Sequence, residues 1–220
     1  MMPLRASDSK SVPVHPGLPL TTTAEQVPAD PSFRHLSAIP GIAVDLRYAS
    51  PHNFVGRDLY SPFDCAWLHR DAARALELAV WWLAGRRPGL RLLVLDALRP
   101  QRVQEQLWDT LKGTDLEMYL AHPERGSIHS FGMAVDLTLV DAAGRELDMG
   151  TAFDDMSERA QPAREPQLLA RGELSEQQIA NRQLLRAAMQ QAGFQSIDSE
   201  WWHFDCGDRS LVRRTYRRVL

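Results

Sequence analysis

Cysteine is scarce. Cys65 and Cys206 are the only two in 220 residues, too few for a disulfide framework, and two free thiols in a reducing compartment are the simpler reading. No run approaches the ~20 apolar residues that a membrane span requires. No secretory leader is visible, because the uncharged run 11–20 is broken by Pro13, Pro16 and Pro19 and no apolar core forms. A basic excess is missing too: the net charge of -3 offers no field for nucleic acid or an anionic membrane. No internal repeat is visible. These absences lead to the expectation of a cytoplasmic protein, with the periplasm as the alternative, that has neither nucleic acid nor membrane as a partner.

What the chain does contain is 44% hydrophobic residues, enough for one sizeable core. Residues 1–37 are rich in Pro, Ser and Thr without periodicity and are expected to form a poorly ordered extension that packs in part on the domain. The domain is expected over 38–207. The segment 208–220 is arginine-rich and reads as a solvated helix face or a fraying tail. Within the domain, apolar alternation or apolar runs predict strands over 42–48, 91–96, 132–140 and about 201–206. Leu68, Ala72, Leu76, Ala79 and Leu83 recur at helical spacing and predict a helix over 67–84, with Trp81 and Trp82 as packing residues. A second helix is expected from Pro100 to about Leu111, with a short helical piece to about Ala121. A third follows Ser175, whose spacing to Gln178 fits a capping box. The long polar connection 148–174 suggests a lid or binding loop. Together these elements predict an α+β single domain, a central antiparallel sheet flanked by helices.

Two short stretches carry the chemistry. Residues 127–136 read Ser-Ile-His-Ser-Phe-Gly-Met-Ala-Val-Asp, setting His129 and Asp136 seven positions apart across a glycine turn. Downstream lies Glu200-Trp201-Trp202-His203. His129, Asp136, His203 and the spare Glu200 form the inventory of a catalytic zinc site: three ligands, one open position and a carboxylate base. Alternation along 132–140 sends Met133, Val135, Leu137 and Leu139 to the core. It leaves Ala134, Asp136 and Thr138 on a small, polar face that borders a cavity, which puts the zinc site on the sheet face. Glu200 is the natural group to take a proton from zinc-activated water and return it to the leaving amine. Three residues before His203 on a strict strand it would face away, so it is expected in a bend just ahead of the strand. Arg99, at the end of the strand 91–96, is placed to stabilise the tetrahedral intermediate. An arginine at a helix start opposes the dipole, which favours a functional over a surface role. His15, His35, His52, His69 and His122 read as solvated or satisfied histidines, and Cys206 has the wrong strand parity to join His203.

The pattern Ser-x-His-x6-Asp with Glu-x-x-His downstream resembles the zinc D-alanyl-D-alanine dipeptidases of the vancomycin-resistance type. Zinc D,D-carboxypeptidases and the hedgehog signalling domain share the wider pattern. Asp45-Leu46-Arg47-Tyr48-Ala49, Arg99-Pro100-Gln101-Arg102, Leu147-Asp148-Met149-Gly150 and Phe153-Asp154 are similar to the dipeptidase branch in particular. The resemblance implies hydrolysis of D-Ala-D-Ala, or a similar short D-dipeptide, with one zinc ion per chain. It implies His129, Asp136 and His203 as ligands, Glu200 as base and acid, and Arg99 as the stabiliser of the intermediate. It further implies that Tyr48 and Asp154 hold the substrate's ammonium and Ser127 its carboxylate end. Two departures stand out: Leu98 where the family often has tyrosine, and Ile128 where it often has a second serine. The alternatives are a zinc D,D-carboxypeptidase acting on peptidoglycan stem peptides and a non-catalytic metal-containing binding module.

Overall fold

The structure, a computed structural model, describes residues 21–117 and 120–220. Its centre is a five-stranded sheet of β3 (Ile42–Val44), β5 (Arg91–Asp96), β6 (Ala134–Val140), β8 (His203–Cys206) and β7 (Phe194–Ser196), in that spatial order. All seven residues of β6 are buried, as are all of β5 beyond Arg91, so these strands are covered on both faces. Three of the four pairings are antiparallel and the edge pair β3–β5 is parallel, so the sheet is mixed where an antiparallel one was expected. A parallel pair needs a crossover of a dozen or more residues, and the connection between them contains α1 (Arg70–Arg86).

α1 turns Ala72, Leu76, Ala79 and Leu83 into the core and lies against α4 (Glu176–Gln191). That geometry sends Trp81 outward, so it is 77% exposed rather than packed; Trp82 is partly buried beneath the Arg86 guanidinium. α2 (Gln101–Leu111) buries Val103, Leu107 and Leu111. The helical piece expected to reach Ala121 falls partly on residues 118–119, outside the described residues. The Ser175–Gln178 capping box forms at the start of α4. No helix among the described residues is long and apolar enough to cross a membrane.

Three flanking segments differ from expectation. Residues 1–20, with His15, lie outside the described residues. The remainder of the expected extension is packed rather than loose: Val27, Phe33 and Leu36 are buried, and β2 (Phe33–His35) pairs with β4 (Trp67–His69). The arginine-rich C-terminus is a helix, α5 (Arg209–Thr215), and a strand, β9 (Arg218–Val219), which pairs in parallel with β1 (Thr21–Thr22). Buried Val212 and Val219 anchor it, and Arg217 pairs with Asp30. The connection 148–174 holds helical turns, including α3 (Glu165–Ala170), and is fastened to α4. Buried Arg182 donates to the carbonyls of Met149 and Arg159 at 2.7 and 2.9 Å, and Asn181 donates to that of Asp148 at 2.8 Å. The length of this connection suggested a lid or a binding loop; polar side chains from the neighbouring helix satisfy its backbone, and Asp154, Asp155 and Met156 on it line a cavity.

The register of the sheet lines up polar side chains at its middle. Asp96 on β5 stands opposite Asp136 on β6, and Asp136 opposite His203 on β8, a row of three polar residues across three buried strands. A bulge between Val94 and Asp96 brings Asp96 into line. The chain enters β6 through Gly132, at φ +64°, where a Cβ would lie 2.7 Å from the His69 amide nitrogen and 3.0 Å from a Phe33 ring carbon. Gly132→Ala is therefore expected to cost about 1–3 kcal/mol. Urea unfolding would read the loss, and a midpoint equal to that of the parent chain would refute it.

Candidate metal centre

His129 is placed by a 3-10 turn, Ile128–Phe131, capped by Ser127, whose Oγ accepts the His129 amide at 3.3 Å. The His129 Nδ1 lies 2.8 Å from the Ala97 carbonyl oxygen. Nδ1 therefore donates, and the lone pair of Nε2 faces the cavity. Asp136 and His203 are neighbours across β6 and β8 and share a face. The three donor atoms converge: His129 Nε2 lies 3.1 Å from His203 Nδ1 and 3.3 Å from Asp136 Oδ1, and His203 Nδ1 lies 3.0 Å from Asp136 Oδ1. Ligand bonds of ~2.0–2.1 Å about a tetrahedral ion set ligand atoms ~3.3 Å apart. The buried His/Asp/His set fits a zinc ion on that measure, and its donors are of the type zinc takes.

His203 points its other nitrogen at Asp205: Nε2 is 2.9 Å from Asp205 Oδ1, and Asp205 Oδ2 accepts Arg209 Nε at 2.5 Å. A carboxylate behind a ligating imidazole fixes the ring and raises its basicity. The sequence reading assigned Asp205 no role, although His-x-Asp on a strand puts both residues on one face. Burial pushes the Asp136 carboxyl up, but His129 and His203 hold it well below the usual range. Burial lowers His203, but Asp205 and Asp136 raise it well above the ordinary imidazole value. The cluster favours positive charge at this point, and a metal ion would compete with protons for it.

Glu200 lies just ahead of β8, where it was expected, with Oε2 3.9 Å from His203 Nδ1. Its side chain is 18% exposed, and burial shifts its carboxyl upward. Arg99 is not a surface residue. Its Nε and Nη2 donate to Asp96 Oδ2 at 2.9 and 2.7 Å, its Nη1 donates to Gln104 Oε1 at 3.1 Å, and its Nη2 is 3.5 Å from Asp136 Oδ2. The guanidinium also lies 4.9 Å above the Tyr48 ring. Asp96, fully buried, takes Tyr60 Oη and the Ala97 amide on its other oxygen. This bracket of Asp96, Tyr60 and Gln104 was not foreseen; Asp96 closes a strand, but nothing local marks a residue 36 positions upstream as its partner. Leu98 turns away from Arg99 into a cluster with Phe33 and Val219, so the departure at 98 leaves the bracket intact.

Tyr48 packs against Phe54, Tyr60 and Phe153, and its hydroxyl donates to Asp154 Oδ1 at 3.1 Å. Asp154 adopts φ +61°, a left-handed conformation that Asp tolerates better than most residues. Its Oδ2 is buried without a partner among the described residues, and burial raises its carboxyl well above the usual range. A single cavity of about 180 Å³ is lined by all eight residues singled out from the sequence: Tyr48, Arg99, Ser127, His129, Asp136, Asp154, Glu200 and His203. The other described histidines, His35, His52, His69 and His122, do not line this cavity. His69 caps α1 by accepting the Asp71 amide, and His122 rests on Trp108. Cys206 does not line the cavity.

A family model described as D-ala-D-ala dipeptidase matches residues 33–219. The chain is 39% identical over 166 residues to the D-alanyl-D-alanine dipeptidase of Escherichia coli K12, covering 76% of this chain and 79% of that protein. It is 32% identical over 191 residues to the protein of that name from Synechocystis, covering 72% and 76%. It is 31% identical over 186 residues to that from Enterococcus faecium, covering 76% and 86%.

Asp205 provides a test of the centre independent of turnover. Asp205→Asn keeps the shape but removes the charge behind His203 and is expected to weaken zinc binding roughly 10–100-fold. Competition with a chromophoric chelator measures this, and an affinity within twofold of the parent would contradict it.

Proposed function

The chain belongs to the D-ala-D-ala dipeptidase family of peptidases, and from that premise we propose that it hydrolyses D-alanyl-D-alanine, or a similar short D-dipeptide, to free amino acids with one zinc ion per chain. The observation that carries this reading is the convergence of eight side chains from separate segments on one cavity. His129, Asp136 and His203 would hold the metal. Zinc, when bound there, supplies Lewis acidity that polarises a carbonyl and acidifies water.

The remaining steps fall to the chain's own groups. The Glu200 carboxylate, beside the ligand cluster, accepts a proton from the attacking water and returns it to the nitrogen of the leaving amine. Arg99 stabilises the oxyanion that develops as water adds to the scissile carbonyl. Asp96 and Gln104 already fix its guanidinium, so little reorganisation is needed at that moment. Asp154 and Tyr48 bind the substrate's ammonium, which gives Asp154 Oδ2 the partner it lacks among the described residues. Ser127 serves the carboxylate end. A cavity of about 180 Å³ is smaller than the ~300–1,000 Å³ typical of larger ligands, which favours a dipeptide over a stem peptide.

Purified protein supplied with zinc is expected to release free D-Ala from D-Ala-D-Ala, but not from an N-acylated tripeptide ending in D-Ala-D-Ala. Release from the tripeptide would move the reading to a D,D-carboxypeptidase, and turnover of neither by the zinc-bound protein would sink both. Chelation should abolish activity and added zinc restore it. Glu200→Ala is expected to lower kcat by about 10²-fold or more while zinc content stays at one per chain. Loss of the zinc instead would place Glu200 among the ligands.

A further inference from the structure

The cavity carries a second cluster of charge that this mechanism leaves without a task. Arg125, Arg209 and Arg213 line it beside Ser127. They arrive from two segments: Arg125 precedes the turn that bears His129, while Arg209 and Arg213 are one helical turn apart on α5. Arg213 ties the segments together, its Nε donating to the Arg125 carbonyl and its Nη2 to the Gly126 carbonyl, each at 3.1 Å. One carboxylate meets these three cations. Asp205 accepts Arg209 and is already engaged with His203. The Arg125 side chain has no carboxylate partner among the described residues. Arg213 is held below the usual guanidinium range by burial and then by Arg125 and Arg209.

Charge is thus sorted along the cavity. The main electrostatic neighbours of Arg213 are Arg125, Arg209, Asp205 and Arg218, whereas those of Asp154 are Arg99, Asp136, Tyr48 and Glu200. Asp154 reaches the cavity from the connection 148–174, and the arginines reach it from α5 and from the segment before Ser127. Gathered like charges are unfavourable unless an anion completes them, and guanidinium forks match the two oxygens of a carboxylate. Ser127 adds a buried hydroxyl whose oxygen accepts the His129 amide and whose proton is committed to no described residue. Ile128, next in the chain, offers no side-chain donor.

We propose that Arg125 and Arg213, with Ser127, hold the free C-terminal carboxylate of the substrate, Arg209 adding to the field, and that these arginines determine specificity for an unblocked second residue. The inference rests on the dipeptidase reading and extends it: the ammonium pole and the arginine pole together fix substrate length by charge at both ends. Arg125 is exposed and Arg213 half-buried, so the attraction should weaken with ionic strength.

The test compares D-Ala-D-Ala with its C-terminal amide on the zinc-loaded full chain. The parent protein should prefer the acid in kcat/KM, mostly through KM. Arg125→Met and Arg213→Met should each lower the acid-to-amide preference roughly tenfold or more. The parent's KM for the acid should also rise between low and high salt, and that rise should shrink in Arg125→Met. The Arg125 side chain has no ion-pair partner to lose among the described residues, so its variant keeps the test open if Arg213→Met fails to fold. A parent protein that cleaves acid and amide equally well, or variants whose preference stays within twofold of the parent, would overturn the arginine anchor and leave the dipeptidase reading standing. Turnover of neither substrate by the parent would overturn the dipeptidase reading, and the anchor with it.

Discussion

Two carboxylates, Asp96 and Asp136, face each other across adjacent strands in the middle of the sheet, where nearly everything around them is buried. Like charges directly opposite on a sheet are destabilising, and more so away from water. The structure resolves the conflict with Arg99. It bonds Asp96 through two nitrogens and stands 3.5 Å from Asp136, while His129 and His203 flank Asp136 on its other side. Asp96 is fully committed, to Arg99, the Tyr60 hydroxyl and the Ala97 amide. Asp136 is the carboxylate left facing the imidazoles. The same balance of charge that lets the sheet close is what aims Arg99, His129 and His203 at a single point.

Much of this was legible from residue spacing. The alternation around Asp136 showed that its face differs from that of Val135 and Leu137, and the chain needed Gly132 to enter that strand. Glu200 could be placed ahead of its strand from parity alone. What spacing could not show is contact across long separations. The Tyr60–Asp96 and Tyr48–Asp154 bonds join residues 36 and 106 positions apart. Nor could composition tell that 148–174 is fastened, because the fastening groups, Asn181 and Arg182, sit on a separate helix some 33 positions from the carbonyls of Asp148 and Met149 that they bond. The parallel edge pair β3–β5 escaped for a similar reason, since strand direction depends on the path between strands rather than on either strand's sequence.

The terminal segments teach the same point about charge runs. Five arginines between 209 and 218 look like a solvated helix face or a fraying tail when only their number is considered. In the folded chain, Arg209 supports the carboxylate behind His203, Arg213 holds the loop that precedes Ser127, and Arg217 ties the C-terminus to Asp30. Arg218 donates to the Arg125 carbonyl and covers the Phe131 ring. The packing of residues 21–36 beneath this segment is of a piece with that, because among the described residues β1 and β9 pair only with each other. The site is therefore assembled from nearly the whole length of the described chain.

The row formed by Asp96, Asp136 and His203 has a consequence for folding fidelity. Side chains on a strand alternate, so slipping β6 against β8 by one residue would carry Val135 or Phe204 to the face where the donors belong. A cation that needs His129, Asp136 and His203 together would bind only the correctly paired sheet, and by mass action it would draw the population toward that pairing. Such an ion would act as a proofreader of strand alignment, rewarding the arrangement that brings its ligands together and leaving every misaligned one without its help.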